Sequence, residues 1–367
     1  MSPARCLVTM SNYIPALAFR IPYPVMRLFA AGLLAALLSG CERPPDMQLA
    51  QGHAQGTTWH IKWWSRQPTD AKTIDRDFQQ VFDDIDKAIS TYRDDSWLAR
   101  FNASRSTDWQ PAPEQVIQLL GIARQVNQAS RGCFDPTIAP LFRLWGFQDE
   151  QFHVPSDHDI RQTLSEVGLD HVHVDTDNGR IRKDLPKLSI DLSSMGEGHT
   201  INRLSRVLEA HGINNYLVEM GGDLKARGHK PDGSHWRVGL QAPVPGQRQV
   251  QRIVTLDSEH GVTLDTSGTY QRFFDDDGHT YGHIIDARTG RPTSHDLVSA
   301  SVFGHNAALS DAWATAMLCL GEKEGMQVAN QQQLPVYFME RQPGQLATRV
   351  SPALEHSNDV QLAKKTD

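Results

Sequence analysis

Four cysteines in 367 residues are too few for a disulfide-framed scaffold, and none stands at a metal-type Cys/His spacing. There is no G-x-x-x-x-G-K-[ST] loop, no G-x-G-x-x-G opening a helix after a strand, no H-E-x-x-H and no G-x-S-x-G. These absences exclude a P-loop nucleotidase, a Rossmann dinucleotide site, a zincin and an α/β-hydrolase elbow. Positive charge is also short. Lys and Arg number 36 against 43 Asp and Glu, a formal charge of −7. That balance argues against nucleic acid or anionic lipid as main partners. No fixed-period repeat occurs. The one long apolar run, Leu28–Leu38, is too short to span a bilayer as a helix.

That run does have a reading. Arg27 precedes it and Ser39-Gly40-Cys41 ends it, the pattern of a secretory signal with a lipoprotein box. The expectation is a leader over residues 1–40, lipidation at Cys41, and a periplasm-facing protein anchored in the inner membrane. Glu42 leaves the outer membrane open. An ordinary cleaved signal with Cys41 unmodified is the alternative. Met26-Arg27-Leu28 would itself be a normal start. Loss of residues 1–40, which hold Arg5, Arg20 and Arg27 and no acid, takes the formal charge from −7 to −10. An anionic ligand would then need a local cation. Residues 41–54 read as a polar tether, 55–350 as one catalytic domain of two joined lobes, and 351–367 as a polar, frayed tail. Cys133 and Cys319 are expected to be free thiols, although a periplasm would permit their pairing.

Periodicity marks four helices. Ile74, Phe78, Val81, Phe82, Ile85 and Ile89 share one face after Thr69 or Asp70. Val116, Leu119, Leu120, Ala123 and Val126 share another, opened by Pro113-Glu114. Ile201, Leu204, Val207 and Leu208 precede Gly212, and Asp311–Leu320 precedes Gly321. Strands are expected at Tyr216–Met220, Trp236–Leu240, Val250–Leu256, Tyr281–Ile285, Leu297–Phe303 and Val336–Met339. Consecutive strands without βαβ alternation predict an α+β fold with mixed or antiparallel sheets and packed helices.

Five segments carry more polar and turn-forming residues than packing requires. They are Ser90–Ser96; Gly132-Cys133-Phe134-Asp135-Pro136-Thr137 with Trp145 following; Asp191–His199; Glu219-Met220-Gly221-Gly222-Asp223; and Thr266-Ser267-Gly268 through His283, Asp286 and Arg291 to Asp311 and Thr315. Each has a bland reading. Tyr92 and Trp145 could be core aromatics, Asp135 before Pro136 a turn, and His283 a half-buried strand histidine. Gly196-Glu197-Gly198 before a helix is a weak anion-binding signal. Asp311 and Thr315 lie one helical turn apart, so a carboxylate and a hydroxyl share one face, the donors a hard cation takes.

In this order the five segments resemble the FAD:protein FMN transferase (ApbE) family, from about Gly56 to about Gly321. The resemblance implies an ApbE-like (T-fold-like) domain. Its implied activity is Mg²⁺-dependent transfer of FMN from FAD onto a Thr or Ser hydroxyl of an acceptor flavoprotein, with release of AMP. Carried over residue by residue, the metal ligands fall on Asp311, Thr315 and the carbonyls of Ser194 and Ala314. Flavin contacts fall on Tyr92, Cys133, Phe134, Asp135, Asp191, Glu197 and Ile285, and the general base on His283. Gln55 stands where a methionine that contacts the flavin precedes Gly-Thr in the family, so it too is carried over to the flavin site. Cys133 replaces a small residue and Ala287 a proline, and the resemblance gives Asp265 no role. Hydrolysis of FAD to FMN and AMP, or flavin binding without catalysis, are the competing readings. The acceptor is implied to be an electron-transport subunit.

Overall fold

Trp59, Ile61 and Trp63 alternate along one strand and turn their side chains to one face, as the two-residue period of an extended chain requires. That face meets a helix whose apolar stripe supplies Phe78 and Phe82. The Trp59–Phe82 and Trp63–Phe78 ring centroids lie 5.2 and 6.1 Å apart. This contact sets the architecture, helices packed on a sheet. The computed structural model describes residues 44–363 apart from Pro245, Arg248 and Gln271. The expected leader, Met26 and Cys41 lie outside the described residues.

Among the described residues, eight strands form the main sheet. They are β1 (Gln48–Ala54), β2 (Thr57–Trp64), β3 (Asn215–Met220), β4 (Asp223–Arg227), β5 (Val262–Gly268), β6 (Leu297–Gly304), β7 (Val336–Gln342) and β8 (Gln345–Val350). They lie side by side in that order, every pair antiparallel. The helices are α1 (Ala71–Ile89), α2 (Trp97–Ala103), α3 (Glu114–Ala129), α4 (Ala139–Leu144), α5 (Asp157–Leu164), α6 (Ser193–Ala210), α7 (Ala307–Gln332) and α8 (Pro352–Glu355). Helices α1, α3, α6 and α7 cover one sheet face and bury the larger core. The other face packs on a three-stranded sheet of Trp236–Gln241, Val250–Leu256 and Val360–Leu362, with Val254, Leu256, Tyr337 and Met339 between the layers. Residues from Pro45 onward form one unit, of α+β class as the strand succession predicted.

The apolar faces of α1 and α3 are buried as expected. Asp70 is the α1 cap, accepting from the N–H groups of Lys72 and Thr73 at 3.1 and 3.4 Å.

Four expectations need correction. Residues 41–54 are not all tether, because Gln48–Ala54 forms the edge strand β1. The C-terminal segment is not frayed at its start. Ser351 is buried, donates to the Leu334 carbonyl at 2.7 Å and caps α8, and Val360–Leu362 pairs with Val250–Leu256. Tyr281–Ile285 is not one strand. His279–Gly282 pairs with Phe273–Asp276, and Ile285–Asp286 with Arg291–Pro292. The chain bends between them because both the N–H and the ring Nδ1 of His283 meet the Arg272 carbonyl. Cys133 and Cys319 are not free thiols but a disulfide, their Cα atoms 5.9 Å apart across 186 residues of sequence.

Helix α7 leaves helical geometry at Gly321 (φ 75°, ψ 174°), where a stop was expected, and then resumes to Gln332. A Cβ there would meet the His295 ring at 2.7 Å, so a glycine is required twice over.

Candidate active site

Helices α6 and α7 cross with little space between them. Gly198 makes this possible, since a Cβ at that position would lie 2.4 Å from the Ala307 carbonyl oxygen. The close approach lets the Gly198 N–H, which α-helical geometry aims toward the Ser194 carbonyl, donate to Asp311 Oδ2 at 3.2 Å. Asp311 is buried on α7. One turn on, Thr315 Oγ1 lies 3.2 Å from Ser267 Oγ of β5. Asp311, Thr315 and Ser194 thus come from two facing helices, and Ala314 is buried beside Thr315.

Thr315 and Ser194 open onto a slot of about 90 Å³. Its walls come from four separate segments, the Cys133–Pro136 loop with Ile138 and Phe142 after it, Asp191–Ser194, His283–Ile285 and the Thr315–Cys319 turn of α7. Phe134, Ile284 and Ile285 make it apolar. Through Phe142, Asp191 and Ser193 the slot shares walls with an open cleft of about 740 Å³, along which Arg105, Arg143, Lys187 and Arg272 are spaced.

Burial of His283 lowers its pKa, so the ring is neutral at neutral pH. A neutral imidazole carries one ring proton. Nδ1 sits 3.1 Å from the Arg272 carbonyl, an acceptor only, so that proton is on Nδ1 and the Nε2 lone pair is left to accept.

Asp135 lines the slot, yet its carboxylate is engaged by the loop itself. Oδ1 accepts from the Thr137 N–H and hydroxyl at 2.8 and 2.6 Å, and Oδ2 from the Leu169 N–H at 2.9 Å and Asn127 Nδ2 at 3.3 Å. It holds the loop that presents Phe134. Asp191 Oδ1 accepts from the Ser193 N–H at 2.9 Å, shaping the entry to α6. Tyr92 stands 90% exposed on the rim of the larger cleft rather than in the slot. Gln55 lines neither cavity. It sits at the β1–β2 turn and accepts from Thr200 Oγ1 of α6 at 2.9 Å.

Behind Asp311 lies a group of acids. Burial pushes Glu197 up to about 7, with the Glu219 charge adding to it. Burial drives Asp223, Asp265 and Asp311 well above the usual carboxylate range, and repulsion from one another and from Glu197 adds. Asp265 is fully buried on β5, and among the described residues only the Thr263 side chain offsets the burial of its carboxylate. Sequence reasoning gave it no part, and the only signal was an acid before Thr266-Ser267-Gly268 where the family pattern commonly has a small or apolar residue.

The donor set around Asp311, Thr315 and the Ser194 carbonyl is all hard oxygen in negative surroundings, which fits Mg²⁺ and not a thiophilic ion. Cys133, Cys319 and Asp286 also cluster, their ligand atoms within 4.8 Å, but the two sulfurs are bonded to each other.

The model of the ApbE family matches residues 55–338. The chain belongs to the ApbE family. The FAD:protein FMN transferase of Vibrio cholerae is 35% identical over 307 residues, covering 83% of this chain and 90% of the relative. That of Salmonella typhimurium is 34% identical over 329 residues, 87% and 93% of the two chains. Among solved structures, the flavin transferase ApbE from Vibrio cholerae superposes with a TM-score of 0.77 at 32% identity, covering 85% of this chain and 99% of that one. Apo flavinyl transferase ApbE from Pseudomonas stutzeri gives 0.78 at 31% identity, with 86% and 97% covered. The ApbE fold is therefore shared over nearly all the described residues.

Proposed function

We propose that this chain transfers the FMN half of FAD to a Thr or Ser hydroxyl of an acceptor protein, releasing AMP. The observation that carries the reading is the slot in which Phe134, Asp191, Ser194, His283, Ile285 and Thr315 converge from distant parts of the sequence. Membership of the ApbE family, and relatives named FAD:protein FMN transferase, support it.

In this reading the apolar slot takes the flavin end, and the basic cleft beside it offers room and charge for the rest of the dinucleotide. The acceptor hydroxyl oxygen attacks the FMN phosphorus. Its proton passes to Nε2 of His283, whose tautomer the Arg272 carbonyl fixes. The bond from that phosphorus to the bridging oxygen breaks, and AMP leaves. Asp311, Thr315 and the carbonyls of Ser194 and Ala314 would hold Mg²⁺. The ion, when bound, stabilises charge on the pyrophosphate oxygens. Asp135 keeps the flavin loop folded, and the walls of the slot exclude water that would otherwise compete with the acceptor.

The site faces the periplasm, tethered through a lipid on Cys41. Mass spectrometry of an acceptor domain after incubation with this protein, FAD and Mg²⁺ tests the reaction. A Thr or Ser carrying FMN is expected. Free FMN and AMP with an unmodified acceptor would turn the assignment to hydrolysis. Mass analysis of the membrane-extracted chain tests the lipid.

A further inference from the structure

Asp311, Thr315 and Cys319 are spaced by four residues each on α7, so they form one stripe, a turn apart. The stripe ends at the disulfide. Two residues later the helix geometry breaks at Gly321. The half-helix bearing Asp311 and Thr315 therefore has an end that the next helical turn does not hold. Cys319 lies at that end, and Cys133 directly precedes Phe134 in the slot wall.

The loop around Cys133 is itself well held. Asn127 Nδ2 donates to the Phe134 carbonyl at 2.7 Å, the Phe134 N–H donates to Ser130 Oγ at 3.2 Å, and Asp135 is fully engaged. A third segment meets the same point. The Asp286 carboxylate lies within 4.8 Å of both sulfurs and is fixed by Arg288, with Nη2–Oδ2 at 2.7 Å. It follows directly on His283–Ile285.

We infer that the Cys133–Cys319 disulfide is a positioning element that keeps the flavin slot in register with the Asp311–Thr315 helix. Without it, the slot and the helix each persist but their spacing is free to drift. Reacting groups misplaced by about 1 Å can lose on the order of 10² in rate. This inference rests on the functional reading above, and its own readout does not require transfer.

FAD touching both the slot and an ion on Asp311 would make ion and FAD binding mutually reinforcing. That coupling exists only while slot and helix are in register. The test titrates FAD by flavin fluorescence, with and without Mn²⁺ as probe, on oxidised wild type and on Cys133→Ala/Cys319→Ala. In wild type Mn²⁺ is expected to tighten FAD at least tenfold, and in the variant at most threefold. The readout is this ratio within each protein, so a change in FAD affinity common to both titrations, as expected when both cysteines line the slot, does not enter it. With acceptor present, the variant's kcat should fall about 100-fold, whereas a merely structural role would lower the melting midpoint alone. If the double variant does not fold by circular dichroism, wild type reduced with a phosphine and then reoxidised gives the same comparison, with recovery of coupling expected. Equal coupling with and without the disulfide overturns the inference, as does no Mn²⁺ effect in wild type. If coupling behaves as expected but no acceptor is ever modified, the transferase reading fails and the positioning role stands.

Discussion

The Gly198 N–H donates to Asp311 Oδ2 at 3.2 Å, tying the start of α6 to the carboxylate stripe of α7. The bond depends on the missing side chain, because a Cβ on Gly198 would lie 2.4 Å from Ala307 O and 2.7 Å from Ala308 N. Backbone cannot swing away as a flexible side chain can. Gly198→Ala should therefore part the two helices, destabilise the protein by about 1–3 kcal/mol, and slow flavin transfer at least tenfold. Thermal melts and turnover with saturating FAD check both. A variant that melts and turns over like wild type would show that the helices have slack the structure does not reveal.

Asp311→Asn keeps the shape of the side chain and removes its charge. Burial first, then Asp223 and Glu197, disfavour that charge in the metal-free protein. The substitution should leave the melting midpoint unchanged or raise it in metal-free buffer, while transfer falls below detection and Mg²⁺ no longer raises the midpoint. Thr315→Ala should weaken the Mg²⁺ response less, since a hydroxyl supplies a neutral ligand. Retained Mg²⁺ stabilisation in Asp311→Asn would remove this residue from the ion site.

How far the sequence reached follows from what a sequence encodes. The α1 and α3 stripes were legible because period and burial are local properties. The convergence of Phe134, Asp191, Ser194, His283 and Thr315 was legible only through resemblance, because the four segments meet by tertiary packing. Spacing cannot tell a paired cysteine from a free one, and Cys133 and Cys319 lie 186 residues apart. Tyr92 looked like a slot aromatic, yet the end of α1 carries it to the rim. Asp265 stood out in the string only as a departure from the family pattern before Thr266-Ser267-Gly268, and its meaning needs the three other acids around it, Asp223, Asp311 and Glu197.

His283 bears on the pH profile. Its pKa is lowered, by burial first, so the neutral base form persists to more acid pH than for a free histidine. The acid limb of kcat/KM for transfer should accordingly fall below 6.5, the ordinary histidine value. His283→Ala should lose that limb and roughly 10²–10⁴ in rate, the usual range for general-base help. His283→Gln offers no base of matching strength and should not restore the rate. An acid limb that survives in His283→Ala belongs to another group, and proton removal by His283 would then be excluded.

Stability carries a second pH signature of opposite origin. Glu197 is raised from 4.5 to about 7 by burial and by Glu219. Between those values the folded chain holds a proton that the unfolded chain has released. Stability therefore falls as pH rises through that window, by about 1.4 kcal/mol per unit of separation at most. Below 4.5 the contribution is complete. Glu197 also repels Asp223, Asp265 and Asp311, so Glu197→Gln should both flatten the slope and raise the midpoint at pH 8. Asp265→Asn should raise it too, because burial and the neighbouring Asp223, Asp311 and Glu197 disfavour the native charge. Melting curves from pH 4 to 8 in metal-free buffer measure both. If Glu197→Gln keeps the wild-type slope, the acids behind Asp311 are not the proton store described here, and the negative field that would favour a divalent ion has another source.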